Sequence, residues 1–143
     1  MVFNYFTIEY AIKEHDFIIT ESGGSHGINN LGLLESILEH IQNDFYYPEF
    51  EIKLTHLVYS VNKNHAFSDG NKRSSIALGA YFLEINGLNY CIDRFIIEME
   101  NISVHVADNR IDKDLLYEII YSIINEDSFS EELKLKIIES ISS

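Results

Sequence analysis

Basic residues are scarce in this chain. Ten Lys and Arg stand against 23 Asp and Glu, a formal net charge of −13 over 143 residues. That balance argues against a protein built to coat DNA, RNA or an anionic membrane, so no nucleic-acid partner and no membrane partner are expected. It leaves room for a small local anion site and for a basic protein partner. Cysteine is limited to Cys91, which excludes a disulfide framework and fits a reducing, cytoplasmic setting. No stretch approaches the roughly 18 uninterrupted apolar residues of a transmembrane helix. Met1-Val2-Phe3-Asn4 carries no basic n-region, so no signal peptide is expected. Proline occurs only at Pro48 and glycine at seven positions, five of them before Gly79. Long stretches free of both favour helices.

What is there fits one all-α domain over residues 1–143, with about seven helices and 46% hydrophobic residues to fill a core. A first helix is expected from Thr7 to Ile19. Leu33, Leu34, Ile37, Leu38 and Ile41 follow helical spacing for a second. Asp44 to Pro48 is an aromatic connector. Phe50, Leu54, Leu57, Val58 and Val61 mark a third helix ending at Asn62 to Asn64. A fourth carries Ile76 to Ile85 and stops at Gly87-Leu88-Asn89. Asp93 is expected to cap a fifth, Asp112 a sixth, and Ser128 with Glu131 forms a capping box for a last helix. Gly23 to Asn30 is rich in turn formers and reads as a loop, with a small hairpin or flap near residues 22–30.

The densest chemistry lies in His65-Ala66-Phe67-Ser68-Asp69-Gly70-Asn71-Lys72-Arg73, which opens the fourth helix. Lys72 and Arg73 fall in its first turn, where the helix dipole favours anions rather than cations. Two cations there make sense if a phosphate sits at the helix mouth, held by free N–H groups and both side chains. A neutral imidazole at His65 suits a general base, since the free group titrates near ~6.5. Phe67 points inward and pins the loop. Asp69 is either the N-cap or a carboxylate ligand for Mg²⁺. Gly70 lets a ligand approach the backbone. Asn71 donates to a phosphate or to a neighbouring carbonyl. His15, His26, His40, His56 and His105 carry no chemical signal of their own.

These residues resemble the signature of the Fic/Doc superfamily. Fic proteins typically carry His-Pro-Phe-x-Asp/Glu-Gly-Asn-Gly-Arg, and the death-on-curing (Doc) branch His-x-Phe-x-Asn/Asp-Ala/Gly-Asn-Lys-Arg. Ala66 and Lys72 side with Doc. The resemblance extends over roughly residues 5–125, including the Gly-rich loop and the Asn86-Gly87 break. It implies the all-helical Fic fold and an ATP-dependent protein-modifying enzyme. His65 would be the catalytic base, and Asp69 would bind Mg²⁺ with the phosphates of ATP. Gly70, Asn71, Lys72 and Arg73 would hold those phosphates. Gly23, Gly24, Ser25, His26 and Gly27 would form the flap that docks a target segment by strand addition. Fic enzymes usually transfer AMP to a hydroxyl. Doc is known as a kinase toxin that phosphorylates a translation elongation factor and is neutralised by an antitoxin.

Lys72 in place of the Fic glycine fills the backbone anion hole and adds charge, which favours transfer of the terminal phosphate. The resemblance thus implies a toxin that phosphorylates Ser or Thr on a protein substrate. AMP transfer is the alternative, and a catalytically silent Fic-fold binding module is a third reading. Two departures stand out. Thr20-Glu21-Ser22 has no cation where Doc relatives can carry one. Ser128-x-x-x-Glu132 is followed by Leu133, so the inhibitory helix of many Fic proteins is not matched, and inhibition by an antitoxin in trans is expected. A metal phosphohydrolase built on His15-Asp16 is disfavoured, because no His precedes that pair and both lie on an amphipathic helix. A ribonuclease of the Arg-x₄₋₆-His type is disfavoured because no His follows Arg73, Arg94 or Arg110 at that spacing.

Overall fold

The computed structural model describes residues 2–142. Among these residues it has seven α-helices and no strand: α1 Ile8–Ser22, α2 Leu31–His40, α3 Phe50–Lys63, α4 Asn71–Ile85, α5 Ile92–Ala107, α6 Lys113–Asn125 and α7 Glu131–Ile141. A short 3₁₀ turn, Asn89–Cys91, leads into α5. Among the described residues no helix is long and apolar enough to cross a membrane.

The arrangement follows from which helix is buried all round. In α3, Leu54, Leu57, Val58 and Val61 are buried together with Lys53, Thr55, His56 and Ser60, which leaves that helix almost no solvent face. It packs against α2, α4, α5 and α6, while α4 packs against α1, α3 and α5. Leu78, Phe82 and Leu83 from α4 meet Phe95, Met99 and Ile102 from α5 in one core. Each such side chain contributes roughly 1.5–3 kcal/mol relative to exposure. The pairing of α3 and α4 fixes the site, because the nine-residue motif is the turn between them together with the first turn of α4.

Several helix boundaries follow the expected chemistry. The hydroxyl of Thr7 accepts the N–H of Tyr10, and the carboxylate of Asp112 accepts that of Leu115. The end of α4 is a Schellman motif, with Leu88 N–H to Leu83 O and Gly87 N–H to Glu84 O. Others differ. Helix α1 continues three residues past Ile19. Asp93 is not a cap: α5 starts at Ile92, straight out of the 3₁₀ turn, and Asp93 sits in its first turn, where its charge complements the dipole. The last helix is capped by Ser130, whose hydroxyl accepts the N–H of Leu133, so Ser128 and Glu131 form no capping box. Nor is there a hairpin near residues 22–30. The one bridge described pairs Ile28 with Phe67 antiparallel, so the flap is stitched to the motif loop rather than to itself.

Candidate active site

Helix α3 ends at Lys63, and the chain turns at His65 with φ 52°, a left-handed backbone. For a residue other than glycine that conformation costs about 1–3 kcal/mol and persists only where neighbours enforce it. The neighbours are identifiable. Ala66 and Phe67 are fully buried. The carbonyl of Ala66 accepts N–H groups from Asn29 at 2.8 Å and Asn30 at 3.1 Å, and Ser68 N–H donates to Gly27 O at 3.0 Å. From α4, Asn71 accepts the N–H of Phe67 at 3.1 Å and donates to its carbonyl at 3.0 Å. The Asn71 amide is thus committed to the loop backbone, the second of its two expected roles.

A residue that sequence reasoning set aside completes the support. His15 from α1 is 1% exposed, and its ring lies parallel to that of Phe67, with centroids 3.9 Å apart and 3° between planes. Its Nε2 stands 2.6 Å from the carbonyl oxygen of Asp69. The available signal was position: Ala11, His15 and Ile19 recur every four residues on the buried face of α1.

Gly70, in the left-handed region at φ 74°, is the N-cap of α4, and no side chain caps that end. Asp69 is therefore not the cap. The first turn leaves the N–H groups of Asn71, Lys72 and Arg73 without intrahelical acceptors, a site that favours negative charge. Asp69 accepts the N–H of Gly70 at Oδ1 (2.8 Å) and that of Ser25 at Oδ2 (3.0 Å). These two bonds, helped by the nearby charges of Arg73 and His15, hold its carboxyl below the usual carboxylate range.

A cleft of about 260 Å³ opens over this turn, lined by Asn62, Lys63, His65, Ser68, Asp69, Gly70, Asn71, Lys72 and Ala107. The structure thus gathers His65, Asp69, Gly70, Asn71 and Lys72 in one place. The Lys72 side chain is exposed and makes no hydrogen bond or ion pair with the described residues. Asn62 and Lys63, at the end of α3, line the same cleft and had not been singled out in the sequence. Arg73 is not a lining residue. Its guanidinium turns to the far side of Gly70, where it donates to the hydroxyl of Ser22 and, at 2.9 Å, to Gly23 O. It supplies a cation beside Thr20-Glu21-Ser22, the segment that lacks one of its own.

The flap residues Gly23, Gly24, Ser25, His26 and Gly27 are all exposed, and they border the cleft through Ser25 and Gly27. Gly24 is tightly placed: a Cβ there would lie 2.6 Å from Asp69 Oδ2, and its φ is 119°. His26 Nδ1 lies 3.6 Å from Asp16 Oδ1. Among the described residues no cluster of three or more His, Cys, Asp or Glu forms a metal cage. A lone carboxylate beside an uncapped helix N-terminus suits Mg²⁺, which keeps waters and shares phosphate oxygens instead of demanding a full protein ligand set.

Residues 5–83 match the model of the Fic/DOC family, a shorter span than the 5–125 expected from the motif and its surroundings. The chain is similar to "Toxin Doc" of Mycolicibacterium smegmatis, 33% identical over 96 residues, covering 64% of this chain and 74% of that protein. It is also similar to "Protein kinase doc" of Escherichia phage P1, 34% identical over 84 residues, covering 56% of this chain and 66% of the relative.

Proposed function

The chain belongs to the Fic/DOC family, and on that footing we propose that it is a Doc-like toxin, a single-domain enzyme that transfers the γ-phosphate of ATP to a Ser or Thr hydroxyl of a target protein. The carrying observation is that His65, Asp69 and the uncapped start of α4 share one cleft. The relatives' names, a toxin and a protein kinase, support the same reading.

In this reading the target segment docks along the flap and presents its hydroxyl to the cleft. His65 accepts the hydroxyl proton as the oxygen bonds to the γ-phosphorus. The bond from that phosphorus to the β–γ bridging oxygen breaks, and ADP leaves. The N–H groups of Asn71, Lys72 and Arg73, with the Lys72 ammonium, face the charge on the phosphate oxygens. Asp69 would hold Mg²⁺, which when bound supplies positive charge to the phosphates. Arg73 acts from behind, tying the flap base to the motif through Gly23 O. The resemblance points to a translation factor as the target and to an antitoxin that restrains the enzyme in trans.

The test is incubation of the purified chain with Mg²⁺, cell lysate and ATP labelled separately at the α and γ phosphates. Label from the γ position on a protein is the expected result. Label from the α position alone would mean AMP transfer. No label on any protein would leave a binding module.

A further inference from the structure

We propose that His15 is a positioning residue for this transfer: from α1 it sets, through one ring, both the loop that carries His65 and the backbone that carries Asp69. The inference rests on the kinase reading above. The carbonyl oxygen of Asp69 can only accept, so the hydrogen of the 2.6 Å contact sits on Nε2 of His15, which donates. That bond holds the peptide plane between Asp69 and Gly70. The orientation of this plane fixes the direction in which the Asp69 carboxylate leaves the backbone and the left-handed turn of Gly70 that opens α4. The parallel stack on Phe67 holds the second point. Phe67 is two residues from His65, and its burial keeps the strained turn at His65 from relaxing.

A side chain present only to fill the core would need neither contact. His15 is as buried as Ala11 and Ile19 on the same face of α1, where an aliphatic residue would fill space without burying two ring nitrogens. One of those nitrogens, Nδ1, is buried with no hydrogen bond, and the nearest carboxylate oxygen, Oδ1 of Asp16, is 3.8 Å away. The ring thus carries an unmet polar atom in a position where it serves the motif. His15 touches no reacting atom. It acts through Asp69 and Phe67, as the outer partners of a ligand shell do.

The experiment compares the full chain with His15→Leu, which fills volume without donating, and His15→Gln, whose amide nitrogen reaches the place of Nε2. Three quantities are read: amide hydrogen exchange at Ser68 and Gly70 without ligand, calorimetric ATP binding across a Mg²⁺ series, and kcat and KM for γ-phosphate transfer. In His15→Leu, exchange at Ser68 and Gly70 should rise while α3 amides stay protected. The Mg²⁺ needed for half-maximal binding should rise by about tenfold, and kcat should fall roughly 10–100-fold. KM for the target should stay within about twofold. His15→Gln should recover most of the loss. Should His15→Leu not fold, His15→Gln against the shorter His15→Asn gives the same contrast. Equal impairment of donor and non-donor variants, or faster exchange spread evenly over the chain, would overturn the proposal, as would a His15→Leu enzyme that matches the unmutated one. If the unmutated chain binds no ATP with Mg²⁺, the kinase reading and this inference fall together.

Discussion

The N–H of Ser25 donates to Oδ2 of Asp69 at 3.0 Å. The flap is thereby fastened to the carboxylate assigned to Mg²⁺, and the segment that would align a target shares an atom with the segment that would hold nucleotide. If the proposed roles hold, target docking and nucleotide binding would be linked through this hydrogen bond, and substitutions on either side should report on it.

Removing the base is the first prediction. His65→Ala should lower transfer by ~10²–10⁴-fold while ATP binding stays close to that of the unmutated chain. Single-turnover label transfer and calorimetry on the same preparation check it. Transfer at the original rate would remove His65 from the mechanism.

Asp69→Asn tests the metal assignment. Gly70, not Asp69, is the N-cap, so the change leaves helix capping intact. Nucleotide binding should lose its Mg²⁺ dependence, read by titrating ATP with and without the ion. Unchanged Mg²⁺ dependence would make Asp69 a flap anchor only.

Gly24→Ala places a Cβ 2.6 Å from Asp69 Oδ2, at a φ of 119° that side chains rarely adopt. Either the flap or the Asp69 carboxylate must shift. Transfer to protein should drop by about tenfold or more, since misplacement on the order of 1 Å already costs up to about 10²-fold. The thermal midpoint should change little, because the flap is exposed. Wild-type transfer by this variant would show that the flap does not dock the target.

If the proposed phosphate site is right, Lys72→Gly would open backbone for a phosphate, and it removes an exposed cleft cation that makes no hydrogen bond or ion pair with the described residues. The expectation is slower phosphoryl transfer with some AMP transfer appearing. Intact-mass spectrometry of the modified target separates a phosphate from an AMP adduct.

A pH effect arises away from the cleft. His56 on α3 is 8% exposed and is faced by His40 from α2, Tyr47 from the connector, Ser60 on its own helix and Lys113 from α6. Burial first, then the charges of Lys113 and His40, lower its pKa from 6.5 to about 4. The unfolded chain therefore takes up this proton first as pH falls. Stability is retained above 6.5, declines between 6.5 and about 4, and loses at most about 3 kcal/mol through this group. Urea midpoints at pH 7.5, 5.5 and 4 should fall more steeply for the unmutated chain than for His56→Gln; equal slopes would assign the loss elsewhere.

The helices and the motif were legible because both are local. Spacing such as Leu54-Leu57-Val58-Val61 reports one face of one helix, and His65 to Arg73 is contiguous. What escaped was set by partners far along the chain. The role of His15 depends on Phe67 and Asp69, more than fifty residues away, and the sequence offers only its place among Ala11 and Ile19. Arg73 reads as a cleft cation from its position in the first turn, yet Ser22 and Gly23 draw it behind Gly70. The flap residues have the turn formers of a hairpin, but Phe67 supplies the paired backbone. Ser128 and Ser130 are both good caps, and only the path of the chain out of α6 chooses between them.

The left-handed corner at His65 also bears on how a knock-out of this enzyme should be built. Asparagine visits that corner far more readily than alanine does. His65→Asn would therefore remove the proposed proton acceptor while keeping the chain's direction, whereas His65→Ala would remove it and also free the corner. A melting temperature higher for the asparagine variant than for the alanine one is the expected sign that the corner is kept, and asparagine is then the better choice for an inactive protein of native shape.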